Sequence, residues 1–228
     1  MIDLTTWNLT VPTHESAPLI GTARLNNGYD SQYFRKQSDG SIIFWVPVQG
    51  AVTESAKYPR SELRETQSDG RLSYWKLQSS DSYLNAVMTV NQVPSKGKII
   101  IGQIHSKDEV GSENDPLLKL QYHYLRGVGR LEALLRNRPG DTTVQNILLA
   151  ENVELNERFS YELRLTPTGK LGIRVLTDGD DGSHYRQLSG YWGKQHLYFK
   201  AGAYIQDNEG PSNEGGRVTF YHLNGLHR

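Results

Sequence analysis

Three short tracts set reactive side chains where a buried strand would want aliphatics. They are Tyr58-Pro-Arg-Ser-Glu-Leu-Arg-Glu65, Ile101-Gly-Gln-Ile-His105 and Tyr198-Phe-Lys-Ala-Gly-Ala-Tyr-Ile-Gln206. Side chains of a strand alternate between its two faces. Arg60, Glu62 and Arg64 therefore share a face, as do Gln103 and His105, and as do Lys200, Gly202, Tyr204 and Gln206. A face made of Arg, Gln, His, Lys and Tyr is no hydrophobic core. It is expected to be the floor of a polar groove, offering one imidazole base, one phenol and several cationic donors. Such a set suits proton transfer on a ligand whose negative charge the cations hold.

The elements that must carry these tracts are strands. Short alternating runs separated by Gly, Pro, Asn, Asp and Ser recur along the chain, the pattern of an all-β sandwich. Strands are expected at Ser41–Pro47, after the turn Ser38-Asp-Gly40, at Ser82–Val90, Leu117–Tyr124 and, last, Gly216–Leu223. A hairpin is expected where Ser160–Leu165 and Lys170–Leu176 flank Thr166-Pro-Thr-Gly169, with Leu163 and Leu165 answering Leu171, Ile173 and Val175. No window of a dozen residues holds a helical period; a short helical turn is expected near Asp30–Phe34. No repeat or linker divides residues 1–228, so one catalytic domain is expected. Two polar, glycine-bearing loops, Ser106–Pro116 and Asp178–His184, stand out, the first as a candidate lid directly after His105.

Composition narrows the function. Lys plus Arg and Asp plus Glu both number 25, so attraction for an acidic ligand must come from local placement. The 13 Tyr against 5 Phe suit a surface needing an apolar body and a polar tip, sugar-binding grooves included. The absence of cysteine excludes disulfides, a thiol nucleophile and thiolate metal sites. The remaining histidines, such as His222 and His227, have no metal-ligand spacing, and Asp178, Asp180 and Asp181 lack a standard calcium-loop pattern. Trp7, Trp45, Trp75 and Trp192 are expected to pack. Neither a signal-peptide pattern nor a membrane-length apolar run is present. The expectation is a secreted or periplasmic protein if a leader was removed, and otherwise a cytoplasmic one. Neither nucleic acid nor membrane is an expected partner, and a monomer is expected.

The tracts Arg60-Ser-Glu-Leu-Arg64, Gln103-Ile-His105 and Tyr198–Gln206 resemble, in order, the three signature regions of the polysaccharide lyase family seven alginate lyases. The opening Leu4-Thr-Thr-Trp-Asn-Leu-Thr-Val-Pro12 resembles their first strand, so the likeness spans almost the whole chain. Ala203 and Ile205 depart from the family's usual Val or Ile and Asn, but both face away from the groove. The resemblance implies a jelly-roll β sandwich of two antiparallel sheets with a concave groove. It also implies endo-acting β-elimination on a poly-uronate such as alginate. That reaction removes the C5 proton, alpha to a carboxylate, and expels the C4 oxygen. Arg60 and Gln103 suit neutralisation of the carboxylate. His105 suits the base, and Tyr204 the acid, with its phenolate expected to be favoured by Lys200, Arg60 and Arg64. In guluronate the departing groups lie on opposite ring faces, dividing the work between His105 and Tyr204; in mannuronate Tyr204 would do both. Ile104 matches members that favour guluronate-containing blocks. Glu62 is expected to hold Arg60 and Arg64 in place, with a lowered pKa, and Glu62, Arg64, Lys200 and Gln206 to contact substrate. No cofactor is implied, because Arg and Gln replace a cation at the carboxylate.

Other readings of these residues exist. Arg60, Glu62 and Arg64 alone would make a surface ion-pair ladder, and a lone strand His or Tyr is usually structural. Glycoside hydrolysis needs two carboxyl groups across the scissile bond, and no groove strand supplies them. A non-catalytic module binding acidic glycans has no use for a base and a phenol converging on one point.

Overall fold

The computed structural model describes residues 1–107 and 115–228. Its first strands are β1 (Trp7–Thr10), β2 (Leu19–Ile20), β3 (Phe34–Lys36), β4 (Ile42–Pro47) and β5 (Arg60–Glu65). Then come β6 (Ser82–Gln92), β7 (Lys98–Lys107), β8 (Leu118–Leu125), β9 (Val128–Arg136) and β10 (Val144–Glu151). The last are β11 (Phe159–Leu165), β12 (Lys170–Leu176), β13 (Gly182–Gln187), β14 (His196–Ile205) and β15 (Gly215–His227). They form an eight-stranded sheet, in the order β10-β9-β8-β7-β14-β5-β1-β2, and a seven-stranded sheet, β13-β12-β11-β6-β15-β4-β3. The pairings between these strands are antiparallel. This is the expected jelly-roll sandwich.

Alternation decides which face each tract presents. Leu63, Ile104, Ala201, Ala203 and Ile205 are fully buried in the core between the sheets. Their odd-even partners Arg60, Arg64, Gln103, His105, Lys200 and Tyr204 therefore line the outer face of the larger sheet. A slip of one residue would drive those charges into the core and the aliphatics into water, so burial pins the register. The Thr166–Gly169 turn closes as expected, with Gly169 N–H donating to the Thr166 carbonyl at 2.9 Å and Leu163 facing Ile173.

The third tract is not a regular strand. Pairing of β14 with β7 shifts between Ala201 and Tyr204, so β14 carries an extra residue there, whereas its pairing with β5 runs unbroken. Gly202 takes φ +141, and a Cβ on it would meet the Ser61 carbonyl oxygen at 2.6 Å and Glu62 Cα at 2.9 Å. The bulge re-aims Tyr204 towards Arg60. Gly202→Ala is expected to cost about 1–3 kcal/mol, read as a lowered midpoint in chemical denaturation. An unchanged midpoint would mean the bulge is not required.

Three local expectations are corrected. The helical turn lies at α1 (Thr22–Asn26), not near Asp30–Phe34. Leu25 is buried there, and the Asn26 amide donates to the Leu4 and Thr22 carbonyls, both at 2.8 Å, whereas Phe34 joins β3 to pack edge-on against Phe44. The Asp178–His184 loop is shorter than expected, because Gly182, Ser183 and His184 pair with β12 as an edge strand. That strand's polar, half-exposed residues carry no apolar period to announce it. The third concerns β9 and β10, which lie outside the runs singled out, although Leu131, Ala133 and Leu135 do alternate into the core. Residues 108–114 of the candidate lid after His105 lie outside the described residues.

Candidate active site

The groove across the larger sheet encloses about 650 Å³ and is lined from β2 to β8. At about 4.8 Å per strand, that run spans roughly 24 Å. Arg60, Arg64, Gln103, His105, Lys200 and Tyr204 all line it, so three distant tracts meet in one place. Glu62 lies beneath them and Gln206 does not join them. The Gln206 amide turns back to donate to the Ile205 carbonyl at 3.1 Å and stays off the groove wall.

Glu62 organises the floor. Its carboxylate, on a residue 2% exposed, accepts from Lys200 Nζ at 2.6 Å, from Arg60 Nη1 at 3.1 Å and from the Gln103 amide at 2.5 Å. Burial alone would push this carboxyl up. The Lys200 ammonium and Arg60 guanidinium more than offset burial, and the pKa lies below the ordinary value. The expected depression is therefore present, but its second cation is Lys200 instead of Arg64. Arg64 sits one row further along β5 and lies over the Tyr198 ring, 4.0 Å from its centroid. Glu62 lies beneath the groove wall and does not line it. Lys200, too, spends its ammonium on Glu62, and burial draws its pKa down to about 8.

The two proton-transfer candidates are tuned in opposite directions. Burial, then the Lys200 charge, lowers His105 well below the ordinary histidine value, so the ring is neutral at neutral pH. Burial raises Tyr204, and the Arg60 guanidinium, 3.9 Å from the Tyr204 ring centroid, offsets this only in part. The expectation that cations favour the Tyr204 phenolate is thus reversed: desolvation of the phenol outweighs the attraction. Tyr204 is held protonated.

Side chains that the sequence pattern did not single out complete the site. Tyr198 Oη lies 3.0 Å from His105 Nδ1, and its ring stacks on the imidazole at 18°. Burial pushes the Tyr198 phenol up to about 12. Alternation from Lys200 places Tyr198 on the groove face, so that signal was present. Tyr74, which packs edge-on against Tyr198, comes from a segment outside the strands and carried no such signal. Asn8, Lys107 and Lys119 also line the groove. The tryptophans stay off the groove wall: Trp7, Trp75 and Trp192 are buried and Trp45 packs against the core. Among the described residues, His, Asp and Glu nowhere gather in threes as metal ligands would, and no helix is long and apolar enough to cross a membrane. Asp181 instead accepts from the Thr177 amide at 3.1 Å.

Comparison with known proteins bears on this arrangement. The family model described as alginate lyase matches residues 2–227. An alginate lyase from Klebsiella pneumoniae is 29% identical over 99% of this chain and 89% of its own length. The crystal structure of an alginate lyase from Pseudomonas aeruginosa superposes with a TM-score of 0.94, at 43% identity, over 99% of this chain and all of its own. Alginate lyase A1-II′, a member of polysaccharide lyase family seven, superposes at 0.84 and 30% identity, over 99% of this chain and 96% of its own. A variant of A1-II′ with one histidine and one tyrosine replaced is known in complex with the substrate GGMG. With almost its full length matched in sequence and in fold, this chain belongs to the alginate lyases of polysaccharide lyase family seven.

Proposed function

We propose that this lyase cleaves guluronate-containing stretches of alginate, with Arg60, Gln103, His105 and Tyr204 as its reacting set. The Arg60 guanidinium and the Gln103 amide take the C6 carboxylate, whose negative charge otherwise keeps the C5 proton from leaving. His105 takes that proton. The electron pair of the C5–H bond becomes the C4–C5 double bond, the C4–O4 bond breaks, and Tyr204 gives its phenolic proton to the departing oxygen. One product carries an unsaturated uronate at its new end and the other a free hydroxyl.

The base role asks for a particular tautomer of His105. A proton on Nδ1 can be donated to the Ser106 carbonyl at 3.1 Å or to Tyr198 Oη at 3.0 Å, leaving the Nε2 lone pair for C5. The Ser106 amide N–H, 3.0 Å from Nδ1, favours the opposite tautomer. The Tyr198 hydroxyl can donate or accept and so serves either tautomer, and the base role takes the one in which Nδ1 donates to the Ser106 carbonyl.

The observation that carries the guluronate reading is the opposed tuning of the two groups. A neutral imidazole and a protonated phenol form a separate base and acid, which is what departing groups on opposite ring faces require. A phenol raised by burial is poorly suited to act first as base, as the same-face mannuronate geometry would ask. The complex of A1-II′ with the product GGG supports guluronate as a ligand of the family. Initial rates on pure oligoguluronate and oligomannuronate of equal length test the reading, with the guluronate rate expected to be higher. An equal or higher mannuronate rate would refute it.

The same tuning sets the acid limb of activity. Because burial and Lys200 lower His105 below 6.5, kcat/KM should stay on its plateau as pH falls through 6.5 and decline only below it. A limb centred at or above 6.5 would mean that His105 is not the base.

A further inference from the structure

Cross-strand neighbours form a row along the groove floor: Arg64 faces Lys200, Lys200 faces Gln103, and Gln103 faces Lys119. Most cations on and around this row are already engaged. Lys200 and Arg60 bond Glu62, and Arg64 lies over Tyr198. Arg136, beyond Lys119, sits 3.6 Å from Asp115 and donates to the Pro116 carbonyl at 3.2 Å. Among the described residues Arg64 has no hydrogen bond or ion pair, but it lies over two rings, and Lys107 lies over Tyr74. Among the same residues Lys119 has no hydrogen bond, ion pair or ring contact. Its strand turns Leu118 and Leu120 into the core, so the half-buried lysine is fixed on the groove side, and it lines the groove beside Gln103. Burial, then the Arg136 and Arg60 guanidiniums, lowers its pKa, and the Glu62 and Asp115 carboxylates offset this only in part. At the opposite end Asn8, Thr10 and Leu19 line the groove, with Arg64 of β5 facing Asn8.

We propose that Lys119 anchors the carboxylate of a second uronate, the unit lying over β8 next to the one being cleaved. Gln103 faces the reacting unit, and Lys119 is one strand further on, about 4.8 Å away. A carboxylate arriving there finds an ammonium that bonds none of the described residues, on a pre-positioned stem, and forms a charge-assisted hydrogen bond with it. This inference rests on the reading that Arg60 and Gln103 hold the reacting uronate.

The test is kcat/KM for Lys119→Met, Lys119→Arg and the wild type on guluronate oligomers of increasing length. Methionine keeps the stem and removes the charge. On oligomers long enough to reach β8, Lys119→Met should raise KM about tenfold with kcat unchanged. On the shortest cleavable oligomer it should match the wild type, and arginine should restore most of the loss. Added salt should depress the wild type more steeply than Lys119→Met on the long oligomers. An equal loss at every length, or no loss at any, would overturn the inference. Failure of the underlying reading shows separately, as wild-type activity in Arg60→Ala or Gln103→Ala on the shortest oligomer.

Discussion

Tyr204→Phe is expected to lower kcat on oligoguluronate by about 10²–10⁴-fold, the usual worth of a positioned acid. The phenol lines the groove beside Arg60 and is held protonated by burial. Phenylalanine keeps the ring under the Arg60 guanidinium, so packing and thermal midpoint should change little. The loss should therefore appear in kcat, with KM close to that of the wild type, because the hydroxyl is needed only as the C4 oxygen departs. A folded Tyr204→Phe enzyme within a few-fold of wild-type kcat would remove Tyr204 from the chemistry.

Glu62→Gln should produce the largest change in stability. Glu62 is buried and holds Lys200, Arg60 and Gln103 at once. Removing its charge leaves two cations facing each other with no counter-ion, a loss of about 3–5 kcal/mol for a broken buried pair. Lys200, already drawn down to about 8, can shed its proton in response, which places the expected cost at the lower end of that range. Chemical denaturation at neutral pH measures it. An unchanged midpoint would show that the hydrogen bonds alone, which Gln can partly keep, hold the floor. The wild type should also show the linkage. Because the folded pKa of Glu62 lies below the ordinary 4.5, its contribution is fully present above that value and is lost as pH falls through the folded value. The Gln variant should lack that component of acid sensitivity.

The parts of this site that depend on period and residue type could be read from the chain. Alternation alone brings Arg60, Gln103, His105 and Tyr204 to outward faces, because Leu63, Ile104, Ala203 and Ile205 demand the core. Partnerships across strands could not be read, since they depend on register between segments far apart. Glu62 was expected to bind both flanking arginines, yet the pairing of β14 with β5 sets side-chain-free Gly202 opposite it, so Lys200 reaches its carboxylate from the next row and Arg64 lies over Tyr198. The direction of Tyr204's pKa was likewise hidden. Neighbouring cations are visible as letters, whereas desolvation depends on depth in the groove. Lys119 lay in a run whose alternation was legible, but only the pairing of β7 with β8 sets it against Gln103. Gln206 lies off the groove wall for a local reason: β14 ends at Ile205, and beyond it the alternation no longer aims a side chain.

The most direct test of the account uses His105→Ala, shown by circular dichroism to be folded, incubated with oligoguluronate while far-ultraviolet absorbance is followed. Each elimination creates one C4–C5 double bond, and that chromophore accumulates only if a proton has left C5. The account predicts a steep rise for the wild type and a trace near baseline for the variant. A variant trace that climbs at the wild-type rate would place the base elsewhere and contradict it.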